Sequence, residues 1–413
     1  MTQILVYEDS GWLNLLPLVY TRAVFELVCG MGSLLDRVKS IGAMPTGVWC
    51  RAELAAVIAE RTVLPANVPI AGSTLLLNGR VLWSEIPATR PGEGAWVGVT
   101  EGPHPQVACV FAEGEALAGL SAEIMLDPAK LDRALAAFPR RVIAGAKLIA
   151  WPWNLIHAHP GALVEDWRLR ATADRDGARI DAGSHLLGND IHLGSGTRIK
   201  PCVVIDAEDG PVWIGENVTI MPHSYVQGPA YIGSGSLLQT GAVVRAGTRI
   251  GPVCKVGGEI EGSIVHGFSN KQHDGFLGHS YIGEWINIAA DCINSDLKNT
   301  YGTVRVPING REVESGEMFV GMIVGDHSKI GINVSLPTGA VLGFNSAVFS
   351  PKAPKFVPSF GWLEETRLVR YDVEKAFAVA QKVMARRKHT MSEAEAALFR
   401  NTQPRAERIE VVW

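Results

Sequence analysis

Eight aliphatic residues, Ile214, Ile220, Val226, Ile232, Leu238, Val244, Ile250 and Val256, stand six positions apart on one register, with small and polar residues between them. An amphipathic helix repeats its apolar face every ~3.6 residues and a half-buried strand every second residue, so neither gives this pattern. A coil that lays one short strand on each flat side of a prism does give it. The periodic aliphatic points inward and stacks on its counterparts in the coils above and below. Glycine follows it in Ile214-Gly215, Ile232-Gly233 and Ile250-Gly251, where the chain must turn tightly. Neighbouring registers carry Leu187, Leu193, Ile199 and Ile205 upstream. Downstream they carry Ile282, Ile288, Val324, Ile330, Leu336, Leu342 and Val348. The period spans roughly 176–350 and lapses between Asn294 and Met322. That lapse reads as a loop leaving the prism, a kind of excursion that often carries function.

Residues 1–150 lack the six-residue period. Strand signals at 4–7, 47–50 and 74–77 alternate with helical signals at 31–41, 52–61 and 128–137. This alternation predicts an α/β layer with a largely parallel sheet, whose ligands sit at the carboxyl ends of the strands. Those ends fall at Glu8-Asp9 and Asn78-Gly79-Arg80. A connector rich in Trp, Pro and His follows at 151–175, then the coil at 176–355. A helical tail is expected at 356–413, with Asp372 as an N-cap and Ser392 with Glu395 as a capping box.

Composition adds exclusions. A net charge of −4 gives no reason to expect nucleic acid or an anionic membrane as a bulk partner. The six cysteines lie far apart without a C-x-x-C pair, so neither a zinc ribbon nor a disulfide framework is indicated. No apolar run is long enough to span a bilayer, and the N-terminus reads as a buried strand, so a cytoplasmic location is expected.

The densest chemistry lies at 257–299. It contains Gly257-Gly258-Glu259-Ile260-Glu261, then Asn270-Lys271-Gln272-His273-Asp274-Gly275-Phe276-Leu277-Gly278-His279, then Trp285-Ile286-Asn287-Ile288 and Asn294-Ser295-Asp296-Leu297-Lys298-Asn299. These segments resemble the GlmU-like branch of sugar nucleotidyltransferase/acetyltransferases. Tyr7-Glu8-Asp9, Leu16-Pro17-Leu18 and Thr21-Arg22 are similar to the N-terminal domain of the same branch. The resemblance implies an α/β nucleotidyltransferase-like (Rossmann-like) domain followed by a left-handed parallel β-helix of hexapeptide repeats. It also implies a homotrimer with acetyl-CoA as donor, and an amino sugar phosphate or nucleotide sugar as acceptor. The helical tail lies outside it.

By that resemblance His273 is the general base, since an amine attacking a thioester must lose a proton and an imidazole of pKa about 6.5 suits the task. Asn287 matches a position that holds the sugar or the acyl donor. Ala290 matches the acetyl-CoA contact whose backbone N–H meets the donor carbonyl. Glu259 matches an acidic position of the sugar pocket. This chain departs from the family in having Glu261 in place of a lysine and Phe276 in place of a tyrosine. A carboxylate repels the phosphate that an ammonium attracts, so Lys271, Lys298 or Arg305 become the candidates for substrate binding. His266, His273 and His279 also invite a zinc reading, although a six-residue step places them on adjacent faces.

In the N-terminal domain the family cradles phosphates with a Gly-rich loop and holds Mg2+ with an aspartate after a central strand. The loop here has one glycine, Gly11, and no basic residue, and Arg80 replaces the metal aspartate. Arg80 can hold a phosphate but not a cation. Arg22 is a second phosphate candidate, and Asp9 a possible Mg2+ ligand. Three functions stay open: an acyltransferase with a degenerate N-terminal domain, an active bifunctional acetyltransferase/uridyltransferase, and a non-enzymatic sugar-nucleotide-binding trimer.

Overall fold

The computed structural model describes residues 2–90, 92–170 and 173–410. It divides into two compact units. The first holds residues 1–15, 21–27 and 32–151, and the second holds 16–20, 28–31 and 152–413.

The first unit is built on a six-stranded sheet in the order Pro45–Trp49, Gln3–Tyr7, Ser73–Asn78, Val107–Glu113, Trp96–Val99, Arg140–Val142. Every neighbouring pair is parallel except the two made by Val107–Glu113, which runs against both its neighbours. The expected parallel sheet is thus mixed, because Trp96–Val99 and Val107–Glu113 follow each other through a short loop that cannot make a parallel crossover. Leu5, Tyr7, Leu76, Val97 and Val110 form one apolar cluster with Leu131 and Leu135. The first helical signal is realised as Leu34–Ser40, opened by Ser33, whose hydroxyl accepts from the Asp36 N–H at 3.0 Å.

The second unit is a β-helix with three parallel sheets, one on each face of a prism. Its first face runs from Arg179–Ile180 up to Gly361–Glu364, its second from His185–Leu187 to Phe276–Gly278, and its third from Ile191–Leu193 to Phe356–Val357. All eight aliphatics of the six-residue register are at most 1 % exposed and belong to one continuous core. They stack in register, as in Ile220↔Leu238↔Val256 on the first face and Ile214↔Ile232↔Ile250 on the third. One expected position shifts. Leu186, not Leu187, is in register with Ile205, and Leu187 is 37 % exposed. Hydroxyls close the third corner: Thr197, Ser236, Ser269 and Ser328 each donate to a glycine carbonyl of the next coil and accept a backbone N–H. Each hydroxyl thereby satisfies two buried backbone groups.

The β-helix continues past residue 355, since Phe356–Val357 and Gly361–Glu364 add strands to two of its faces and Arg367–Arg370 folds back antiparallel. Most of the connector is a helix, Pro152–Arg170. Trp153, Ile156, Leu163 and Trp167 recur at helical spacing, but His and Pro between them, with Pro160 inside, mask the period. Trp167 packs edge-on against Trp213 of the third face at 6.1 Å. The lapse after Asn294 is an excursion carrying the hairpin Arg305–Ile308/Arg311–Glu314. The tail forms helices Val373–Ala385 and Glu393–Ile409, capped by Asp372 and Ser392 as expected. Ile250→Ala, which empties part of the inward column, is expected to cost about 2–5 kcal/mol. The shift in denaturant midpoint measures it.

Candidate functional site

His273 lies exposed on the corner between the first-face strand Asn270–Lys271 and the second-face strand Phe276–Gly278. Four residues, 272–275, make this turn, whereas the coil below turns with Gly257 and Gly258 alone. Gly258 has φ +70, and a Cβ there would meet the Gly275 carbonyl at 2.6 Å and the Asp274 Cα at 3.1 Å. On the upper side a Cβ on Gly275 (φ +117) would meet the Cys292 carbonyl at 2.1 Å. The loop bearing the imidazole is therefore seated on one glycine and held under the next coil by another. Both have backbone angles that a side chain resists.

Lys271 completes the clamp from inside. It sits in the inward register of the first face, between Val256 and Ile288, and is 4 % exposed. Its Nζ donates to the carbonyls of Gly257 and His273, both at 2.9 Å. Burial pushes this ammonium down to about 8. The structure thus corrects the expectation that Lys271 meets substrate. An ammonium turned onto two corner carbonyls inside the prism fixes the His273 backbone instead.

The other expected residues distribute around this corner. Ala290 occupies the equivalent corner position one coil above His273. The coil requires no N–H at that position, since Pro222 occupies it further down. Glu259 faces outward in register with Phe276 and pairs with Arg245 at 2.7 Å, with both side chains well exposed. Asn287 is exposed on the first face, in one outward column with Lys255, Asn270 and Lys329. Lys298 is directed elsewhere, because its ammonium donates to the Thr303 carbonyl within the excursion. Arg305 pairs with Glu314 of the same hairpin.

The three histidines do not converge. The Nδ1 of His266 lies 3.1 Å from Glu284, and the Nδ1 of His279 lies 2.8 Å from Asp296. No group of three metal-ligating side chains occurs among the described residues.

In the first unit, Asp9 and Arg80 consume each other. Arg80 Nε donates to Asp9 Oδ1 and Nη2 to Oδ2, both at 2.6 Å, while Nη1 donates to the Ile149 carbonyl. Asn78 Nδ2 and the Gly11 N–H occupy further lone pairs of the same carboxylate. The guanidinium lies so close to Gly11 that a Cβ there would meet its Cζ at 2.2 Å. The space a phosphate needs beside this loop is filled, and both oxygens of the would-be Mg2+ ligand are committed to a cation already present. These residues do not fit Mg2+. Arg22 is 2 % exposed, so it offers no open phosphate contact. Glu8 is buried against Arg51 at 2.8 Å, and Trp12 stacks on the same guanidinium at 4.0 Å.

A cavity of about 360 Å3 borders the outward column and is closed on one side by Arg386 and Arg387 from the end of the first tail helix. Three members of the column were legible in the sequence as the residue before an inward aliphatic: Lys255 before Val256, Asn287 before Ile288, Lys329 before Ile330. That the tail returns to it was not.

Residues 4–175 match the family model described as sugar nucleotidyl transferase, and residues 211–246 match bacterial transferase hexapeptide repeats. Among curated relatives, the bifunctional protein GlmU of Acidithiobacillus ferrooxidans is 29% identical over 174 residues, covering 41% of this chain and 34% of its own length. That of Methanococcus aeolicus is 33% identical over 205 residues, covering 49% of this chain and 45% of its own length. The chain therefore spans less than half the length of these relatives. A crystal structure of UDP-N-acetylglucosamine acyltransferase aligns at 14% identity with a TM-score of 0.33, covering 51% of this chain and 76% of that one. The chain thus resembles sugar nucleotidyl transferases over its first 175 residues and hexapeptide-repeat transferases within its β-helix. Its likeness to the GlmU proteins extends over up to 49% of its length.

Two substitutions test the geometry. Gly258→Ala forces a side chain into the left-handed region beneath His273, at an expected cost of about 1–3 kcal/mol read from denaturant unfolding. Arg80→Ala strands the Asp9 carboxylate, and its expected cost of about 3–5 kcal/mol should largely disappear in the Asp9→Ala/Arg80→Ala double variant.

Proposed function

We propose that this chain is an acetyl-CoA-dependent acyltransferase acting on an amino sugar phosphate or nucleotide sugar, with His273 as general base. The observation that carries this reading is an exposed imidazole on a glycine-clamped corner, with Ala290 at the same corner position one coil higher. The acceptor amine attacks the thioester carbonyl carbon, and His273 takes the proton that the nitrogen loses. The Ala290 N–H stabilises the developing oxyanion, C–S cleavage then expels the coenzyme A thiolate, and the proton held by His273 passes to that sulfur to give the free thiol. Glu259 and Asn287 position the acceptor. A homotrimer fits this reading because a flat coil face needs a neighbour to form a cleft.

The N-terminal domain has a different part in this proposal. The closed Asp9–Arg80 pair supports a domain that does not transfer nucleotidyl groups through a metal ion. It retains the α/β frame and serves as a binding or structural domain.

Incubation with acetyl-CoA and a panel of amino sugar phosphates and nucleotide sugars should release free thiol with at least one acceptor. His273→Ala should lower that rate by 10²-fold or more while leaving the circular dichroism spectrum unchanged. Full turnover in the variant removes the base assignment. UTP, Mg2+ and a sugar 1-phosphate should give no pyrophosphate, and its release would favour the bifunctional reading.

A further inference from the structure

The cavity beside the outward column has an unusual charge balance. Lys255, Lys329, Arg386 and Arg387 line it together with Asn270 and Asn287, and among the described residues no carboxylate does. Among the described residues Lys255, Arg386 and Arg387 have no acidic partner. Arg387 Nη2 donates to Asn270 Oδ1 at 2.6 Å, which ties the end of helix Val373–Ala385 to the β-helix face. Lys329 Nζ is held on the carbonyls of Trp285 and His327 at 2.8 and 2.7 Å. Burial pushes that ammonium down to about 7. Trp285 and Phe268 stack at 4.4 Å along one edge and give the cavity a flat apolar border.

Cations collected on one wall repel one another unless an anion joins them. Guanidinium groups match phosphate oxygens in a bidentate fork. We propose that this cavity is a binding site for a phosphate monoester, completed by Arg386 and Arg387 of the C-terminal tail, with Lys255 as the third contact. It deepens the acyltransfer reading, and rests on that reading only for the identity of the ligand. Two of the three positive charges come from a segment outside the family resemblance. Two ligands of that reading carry such a group: the acceptor's sugar phosphate and the 3′-phosphate of coenzyme A.

Isothermal titration of the full chain with glucosamine 1-phosphate, coenzyme A and dephospho-coenzyme A distinguishes them. Arg386→Gln/Arg387→Gln is expected to weaken at least one phosphate-bearing probe by tenfold or more, and Lys255→Met to weaken the same probe. Loss for glucosamine 1-phosphate identifies the acceptor's phosphate. Loss for coenzyme A without loss for dephospho-coenzyme A identifies the donor's. Lys255→Met changes a coil strand and leaves the tail intact, so it separates binding from tail docking. Absence of binding by the unaltered chain, or less than fivefold weakening by the double variant, overturns the proposal. The readout needs no turnover, so it can stand or fall apart from the role of His273.

Discussion

Everything in the second unit depends on stacking of one inward aliphatic per strand along three parallel sheets. Each such residue removes its side chain from water, at about 1.5–3 kcal/mol apiece, and meets like residues in the coils on either side. The columns fix the strands and leave the corners free to vary. Corner 272–275 is long where the one beneath it is short, and the excursion after Asn294 leaves the prism without breaking the stack, since Ile288 remains in register with Ile330. Chemistry at the corners is therefore compatible with a rigid frame.

Lys271 shows how far that frame constrains function. It occupies an inward position where its neighbours in the column are Val256 and Ile288. An ammonium there is costly unless hydrogen-bonded. The carbonyls of Gly257 and His273 satisfy it, and the result is a backbone anchor beneath the imidazole. The side chain acts by positioning, through the interior, on a residue that faces solvent.

The first unit uses charge in the opposite sense. Arg80 draws Asp9 into a two-pronged ion pair against Gly11. A single guanidinium thus occupies both oxygens of a carboxylate that could otherwise have faced a metal ion. At the other end of the chain the tail brings cations to a face that already carries lysine. The two regions differ in electrostatics because one set of charges has found its counterions within the fold and the other, among the described residues, has not.

The six-residue period, the excursion and both tail-helix caps could be read from residue order, because each arises from contacts repeated locally or from neighbours within a turn. The helix Pro152–Arg170 could not, since prolines and histidines interrupt its apolar spacing, nor could the reversed strand Val107–Glu113. Around the site, sequence placed His273, Asn287 and Ala290 within one stretch of chain. It could not tell that Lys271 turns inward while Asn270 faces out, since that depends on which of two adjacent residues the prism takes inside. Nor could it pair Asp9 with Arg80, or Arg387 with Asn270, residues separated by 71 and 117 positions. Periodicity along the chain determined the frame. The partners of its charges were decided only by folding, which brings distant groups close enough to neutralise, anchor or repel one another.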